Sequence, residues 1–167
     1  ANFPKSKIRV KPNYNPTQIL PTKINDDLKK NCIYVGRISE EKGITTLLKA
    51  WKNINFPLKI FGDGPLKHLV QKNQSSITFL GHQPKNIIIE EMKFAKFLIF
   101  PSEWYEGFPM TILESFASSL LVLASNIGSV GEIVKDKHNG ILFEPGSITD
   151  LKEKINWILT NPEECEK

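Results

Sequence analysis

The 167-residue sequence lacks any apolar run near the roughly 18 residues that a membrane-spanning helix needs. No secretory leader is visible, and a start at Ala1 rather than Met is what a fragment or processed chain would show. Cysteine is nearly absent. Cys32 lies in an apolar run and Cys165 near the end, too few and too far apart for a disulfide framework, which fits a reducing compartment. The sequon Asn73-Gln74-Ser75 is discounted for want of a secretory signal. Arginine is scarce too: of 22 basic residues only Arg9 and Arg37 are arginine, so the formal charge of +4 is a dispersed lysine excess. No basic stripe carries interleaved aromatics, so nucleic acid is not an expected partner. A lysine-rich surface suits an anionic ligand or peripheral contact with an anionic membrane. Two common phosphate motifs are also missing. Gly62-Asp63-Gly64-Pro65 lacks the third glycine of a dinucleotide fingerprint and follows the second strand rather than the first, and Lys42 precedes Gly43 instead of closing a Walker A loop. Dinucleotide dehydrogenases and P-loop NTPases lose ground accordingly.

What is present is a rhythm. Residues 1–28, rich in Pro, Asn and Lys, read as a linker or lead-in with room for one short strand at Ile8 to Val10; residues 29–167 read as one domain. Short apolar runs recur at Cys32 to Val35, Leu58 to Phe61, Ile77 to Leu80, Phe97 to Phe100, Leu121 to Ala124 and Ile141 to Phe143. Between them, Ile44, Leu47, Leu48 and Trp51 keep helical spacing, and helices are expected over Asn86 to Lys93 and Met110 to Ser118. A last helix starts at Ser147 with Asp150 three residues on, buries Leu151, Ile155, Ile158 and Leu159, and stops before Pro162. Continuously apolar strands are buried on both faces. Alternating them with amphipathic helices predicts a Rossmann-like, doubly wound parallel sheet of about six strands with helices on both sides.

Ligands of such sheets bind beyond the carboxyl ends of the strands. Those ends carry Gly36-Arg37, Gly62-Asp63-Gly64, Gly81-His82, Pro101-Ser102 and Ser125-Asn126. The stretch Glu106-Gly107-Phe108-Pro109 leading to Glu114 offers a phosphate device of another kind. Pro109 has a preset φ suited to a helix start, the helix after it exposes the amides of Met110, Thr111, Ile112 and Leu113, and free amides with the positive end of the macrodipole bind phosphate. Gly107 permits close approach of backbone to a ligand. Glu114, one turn inside, and Glu106, before the turn, can each accept hydrogen bonds from hydroxyls. A ribose, two phosphates and a sugar have that layout. Arg37 and Lys42, flanking the loop after the first strand, can aim at the same diphosphate, the arginine as a fork and the lysine as a point charge.

These residues resemble the donor-binding, C-terminal half of retaining glycosyltransferases of the GT-B fold, family 4. The resemblance runs through Val35-Gly36-Arg37 with Lys42-Gly43, Gly62-Asp63-Gly64-Pro65, Phe79-Leu80-Gly81, Pro101 to Pro109 on to Glu114, and Asn139-Gly140-Ile141-Leu142-Phe143, in the family's order over about residues 8–160. Lys11-Pro12-Asn13 is similar to the family's approach to this domain. Two stretches depart from it: Gly128-Ser129-Val130-Gly131-Glu132 replaces the usual Gly-Gly-x-Pro-Glu, and Ser118-Ser119-Leu120-Leu121 replaces Cys-Gly-x-Pro.

The resemblance implies that Arg37 and Lys42 hold the diphosphate, helped by the amides of Met110 to Leu113, and that Glu114 holds the ribose hydroxyls. Glu106 and the backbone of Gly107, Phe108 and Pro109 would hold the donor sugar, and the backbone near Gly81-His82 would meet the base. Gly36 and Gly62, the turns after the first two strands, join this donor-binding set; Trp104 and Tyr105 either wall the sugar pocket or pack in the core. It implies a donor that is a nucleotide sugar, with UDP preferred and GDP and ADP as alternatives. No metal is implied, and the chain has no Asp-x-Asp pair to hold one. The acceptor, a glycan or lipid-linked sugar as in bacterial surface polysaccharide synthesis, would come through an N-terminal domain outside this chain, without which transfer is weak or absent. The expected location is cytoplasmic, with peripheral contact at the inner membrane face. A nucleotide-sugar epimerase, a non-catalytic binding subunit and a flavodoxin-like signalling domain are the rivals; the last expects acidic residues where Gly36-Arg37 stands.

Overall fold

The computed structural model describes residues 29–71 and 75–164. The expected strand at Ile8 to Val10, the segment Lys11-Pro12-Asn13, Cys165 and the Asn73-Gln74 part of the sequon lie outside the described residues. Strands β1 (Asn31–Val35), β2 (Leu58–Phe61), β3 (Ile77–Gly81), β4 (Ala95–Phe100), β5 (Leu121–Ser125) and β6 (Ile141–Phe143) alternate with helices α1 (Ile44–Trp51), α2 (Lys67–Gln71), α3 (Lys85–Lys93), α4 (Met110–Ala117), α5 (Ser129–Ile133) and α6 (Ile148–Thr160). All strand pairs are parallel, in the order β3-β2-β1-β4-β5-β6. This is the doubly wound, Rossmann-like sheet that the apolar runs predict.

Alternation along each strand feeds two cores. Cys32, Tyr34, Leu58, Ile60, Phe97, Ile99 and Leu123 point to one face, where Leu47 and Trp51 of α1 and Ile155 and Ile158 of α6 cover them. Ile33, Phe61, Leu98, Phe100, Val122 and Ala124 point to the other, under Met92 of α3, Ile112 of α4 and Val130 of α5. Burial pushes the thiol of Cys32 well above its ordinary range, against a small opposing pull from Lys96. In a Cys165→Ser variant, Ellman's reagent at pH 8 is therefore expected to find no reactive thiol until the protein is unfolded; rapid labelling of the native protein would contradict the core described here.

Two helices escape the sequence reading, α2 and α5. Each is five residues long and buries a single side chain, Val70 or Val130. The start of α6 is half as expected. Ser147 Oγ accepts from the Asp150 amide at 3.2 Å, but the Asp150 carboxylate turns outward to accept from the Glu144 amide at 2.7 Å rather than from Ser147.

β1 and β4 are neighbours although the chain visits β2 and β3 between them. The connections diverge there, so the carboxyl ends of β1 and β4 are left uncovered, and a crevice opens at that switch point.

Candidate functional site

The loop after β1 and the loop after β4 meet in this crevice and are stitched together. Gly43, at φ 68°, closes a short 3-10 turn (Glu40–Lys42) and opens α1. A Cβ on it would lie 1.8 Å from the Pro101 carbonyl oxygen, so only glycine lets the loops touch. The carbonyl of Glu41 accepts from the Glu103 amide at 2.9 Å and from Ser102 Oγ at 3.2 Å. Thr46 Oγ1 donates to Glu103 Oε1 at 2.5 Å. The turn Gly62 to Gly64 packs from behind: a Cβ on Gly62 would meet the Gly36 oxygen at 1.8 Å, and one on Gly64 the Ile38 oxygen at 2.4 Å. Asp63 curls back on the Gly64 amide and Lys67, which hold its carboxyl below the usual range.

Side chains orient within this frame. Lys42 Nζ donates to Glu106 Oε1, which also accepts from Ser102 Oγ at 2.7 Å. The Lys42 side chain is 30% exposed and that of Glu106 16%, so the pair is partly withdrawn from water. Ser129 Oγ fixes the Glu106 carbonyl at 2.6 Å, giving the departed Gly128 to Glu132 stretch a structural task. Arg37 is largely exposed, with Glu41 Oε1 4.0 Å from its guanidinium. A hydrogen bond from Ser39 is the largest of the effects that hold Glu41 below the usual carboxylate range. Tyr34 donates its hydroxyl to the Arg37 carbonyl at 2.7 Å and so sets the path of the loop. Burial raises the pKa of that hydroxyl, and the charges of Glu41 and Glu106 raise it further. It therefore stays protonated, and the stability tied to it is complete below its unfolded value, about 10, and lost above. Tyr34→Phe is expected to cost about 1 kcal/mol near neutral pH, measured by urea unfolding; an unchanged midpoint would contradict this role.

The crevice has a volume of about 260 Å³ and is lined by Gly36, Arg37, Lys42, Glu106, Phe108, Pro109, Met110 and Thr111 among the residues expected from sequence. Tyr34, Val35, Phe100, Pro101 and Ser102 complete the lining; Val35, Pro101 and Ser102 stand in the motifs quoted from the sequence but without an assigned role, and Tyr34 and Phe100 were not named for the site. Ser102 had one legible signal, a small polar residue closing an apolar strand. The helix α4 opens on Pro109 with no side-chain cap. The Ile112 amide bonds back to the Pro109 carbonyl at 3.2 Å, which leaves Met110 and Thr111 as the amides at the mouth without an intrahelical partner. The Ile112 side chain is fully buried in the core.

Other expected residues lie outside the lining. Gly107 stands at an open position, where a Cβ would find nothing within 4 Å. Gly62 supports the loop from behind; Leu113 and Glu114 lie further along α4; Gly81 and the exposed His82 sit at the β3 end. Trp104 and Tyr105 neither pack in the core nor wall the crevice: they are 68% and 75% exposed, with Tyr105 leaning on Gly128.

A doubly wound parallel sheet with a cation-bearing crevice at its switch point defines a Rossmann-like domain. The chain belongs to the family described as Glycosyl transferases group 1, whose profile matches residues 18–167. It is 38% identical over 136 residues to an uncharacterized glycosyltransferase of Methanocaldococcus jannaschii, covering 78% of this chain and 38% of that protein. It is 31% identical over 125 residues to the putative teichuronic acid biosynthesis glycosyltransferase TuaC of Bacillus subtilis, covering 74% of this chain and 31% of that protein. The chain thus spans well under half the length of these relatives. Among solved structures it resembles Anabaena HepE in complex with UDP and glucose, with a TM-score of 0.73 and 21% identity over 84% of this chain and 41% of that one. That likeness bears on the fold, which is one half of the GT-B plan.

Proposed function

We propose that this chain is the nucleotide-sugar-binding domain of a retaining glycosyltransferase that moves a hexose or N-acetylhexosamine from a UDP-sugar to a glycan or lipid-linked acceptor in surface polysaccharide synthesis. One observation carries the reading: Arg37, Lys42 and the open mouth of α4 share a single crevice at the switch point. A diphosphate laid across that mouth meets two free amides, the positive end of a helix and two side-chain cations. The kinship to TuaC supports the polysaccharide setting, and the UDP and glucose bound by HepE support the donor class.

In transfer, the bond from the sugar C1 to the diphosphate oxygen breaks, and the acceptor hydroxyl oxygen bonds to C1 from the same face. The hydroxyl proton passes to the departing diphosphate oxygen. The diphosphate gains charge as it leaves, and Arg37 and Lys42 stabilise that charge, so the step needs no metal. Glu106 is held by Lys42, Ser102 and Ser129; it positions the donor sugar through hydroxyl hydrogen bonds. The acceptor arrives on a second domain, which closes the crevice against water. Among the described residues no helix is long and apolar enough to cross a membrane; the reading puts the protein on the cytoplasmic side, with the lysine surface against the inner leaflet.

An epimerase would need its own acid and base in the crevice. Among the described residues Glu106 is the one carboxylate in the lining, and it is occupied by Lys42 and Ser102, which counts against that alternative. Calorimetric titration with UDP, GDP and ADP tests the reading. One equivalent of UDP bound in preference to the other two supports it; no binding of any of the three overturns it.

A further inference from the structure

Glu114 sits three residues beyond Thr111 on α4, and Thr111 lines the crevice. Residues three apart share a helix face, so Glu114 continues the surface along which a bound diphosphate would run. Its side chain is only 13% exposed, and its Oε1 lies 2.7 Å from Lys85 Nζ. Lys85 is the first residue of α3, four positions after Gly81 and three after His82, and its side chain is 51% exposed. The ammonium therefore reaches a shielded carboxylate from the solvent side, across from one helix to the next. No acidic residue in the first turn of α3 draws it back.

The chemistry of this pair is complementary. A carboxylate only accepts hydrogen bonds, at about four lone-pair sites, and Lys85 occupies one of them; an ammonium only donates, through three N–H groups. A hydroxyl does both. A ribose 2′-hydroxyl that donates to Glu114 can accept from Lys85 at the same time. The cation also offsets the negative charge of Glu114, which would otherwise repel phosphates one helical turn away.

We propose that Lys85 is a specificity-determining residue of the donor site: with Glu114 it reads the ribose diol, the carboxylate accepting and the ammonium donating, and so selects ribonucleotides over 2′-deoxyribonucleotides. This rests on the reading of Glu114 as the ribose acceptor. The test is calorimetric titration of UDP and 2′-deoxy-UDP into the wild type, Lys85→Met and Glu114→Gln. Methionine keeps the apolar stem and removes the charge. The wild type is expected to prefer UDP by roughly tenfold, and Lys85→Met to bring the two nucleotides within about threefold, chiefly through lost UDP affinity. The melting temperature of each variant is measured alongside, because removing Lys85 leaves a carboxylate that is only 13% exposed without its cation. An ion pair that merely ties α3 to α4 predicts otherwise: Lys85→Met would weaken both nucleotides alike and keep the preference. If that is seen while Glu114→Gln abolishes the preference, the role of Lys85 is overturned and the ribose reading stands. A wild type without preference, or a Glu114→Gln variant that keeps it, overturns both.

Discussion

Gly43→Ala is expected to destabilise the protein by about 3 kcal/mol or more, lowering its melting temperature by roughly 6–12 °C. Two causes act together. The position has φ 68°, a left-handed conformation that costs a residue with a Cβ about 1–2 kcal/mol. The added methyl would also stand 1.8 Å from the Pro101 carbonyl oxygen and 2.8 Å from its carbon. Both are backbone atoms, so relief requires moving a loop rather than a rotamer. The loops that separate are those carrying Lys42 and Glu106, so nucleotide affinity should fall along with stability. Gly107→Ala is the natural comparison, because its Cβ would meet nothing within 4 Å and its effect on stability should stay within about 0.5 kcal/mol. Differential scanning calorimetry of the two variants checks this; equal melting temperatures would contradict the packing of Gly43 on Pro101.

Lys42→Ala is expected to weaken UDP binding by about 100-fold, more than the roughly tenfold expected of Arg37→Ala. Arg37 is largely exposed, and its contacts with phosphate compete with water. Lys42 does two things. It supplies a cation to the crevice, and it neutralises Glu106, which is 16% exposed. Removing it leaves an uncompensated carboxylate facing the place where two phosphates are to rest. The double variant Lys42→Ala/Glu106→Gln should therefore recover part of the loss, because the repulsion is gone while the missing cation is not. Titration calorimetry at fixed ionic strength measures all three. A double variant no better than Lys42→Ala would mean that Glu106 exerts no such repulsion.

The sheet was legible chiefly because its inner strands are buried on both faces, in runs such as Cys32 to Val35 and Phe97 to Phe100, whereas the edge strand β3 has no fully buried residue. Helices with a long buried stripe, such as α6 with Leu151, Ile155 and Ile158, were legible for the same reason. α2 and α5 were not, since one buried side chain apiece makes no period. At the site, the sequence named Arg37, Lys42 and Glu106 but could not join them. Lys42 and Glu106 stand 64 positions apart, and they meet only because β1 lies beside β4. The same holds for Lys85 and Glu114, which meet because α3 and α4 pack side by side. Trp104 and Tyr105 misled in the opposite sense: apolar bulk argues for burial, yet they project into solvent beside Gly128.

The most direct test of the account is the structure of this protein crystallised with UDP. The account predicts the diphosphate at the carboxyl ends of β1 and β4, with phosphate oxygens about 3 Å from the Met110 or Thr111 amide and from Arg37 or Lys42, and the ribose toward Glu114. UDP found elsewhere on the molecule, with that crevice holding only solvent, would contradict it.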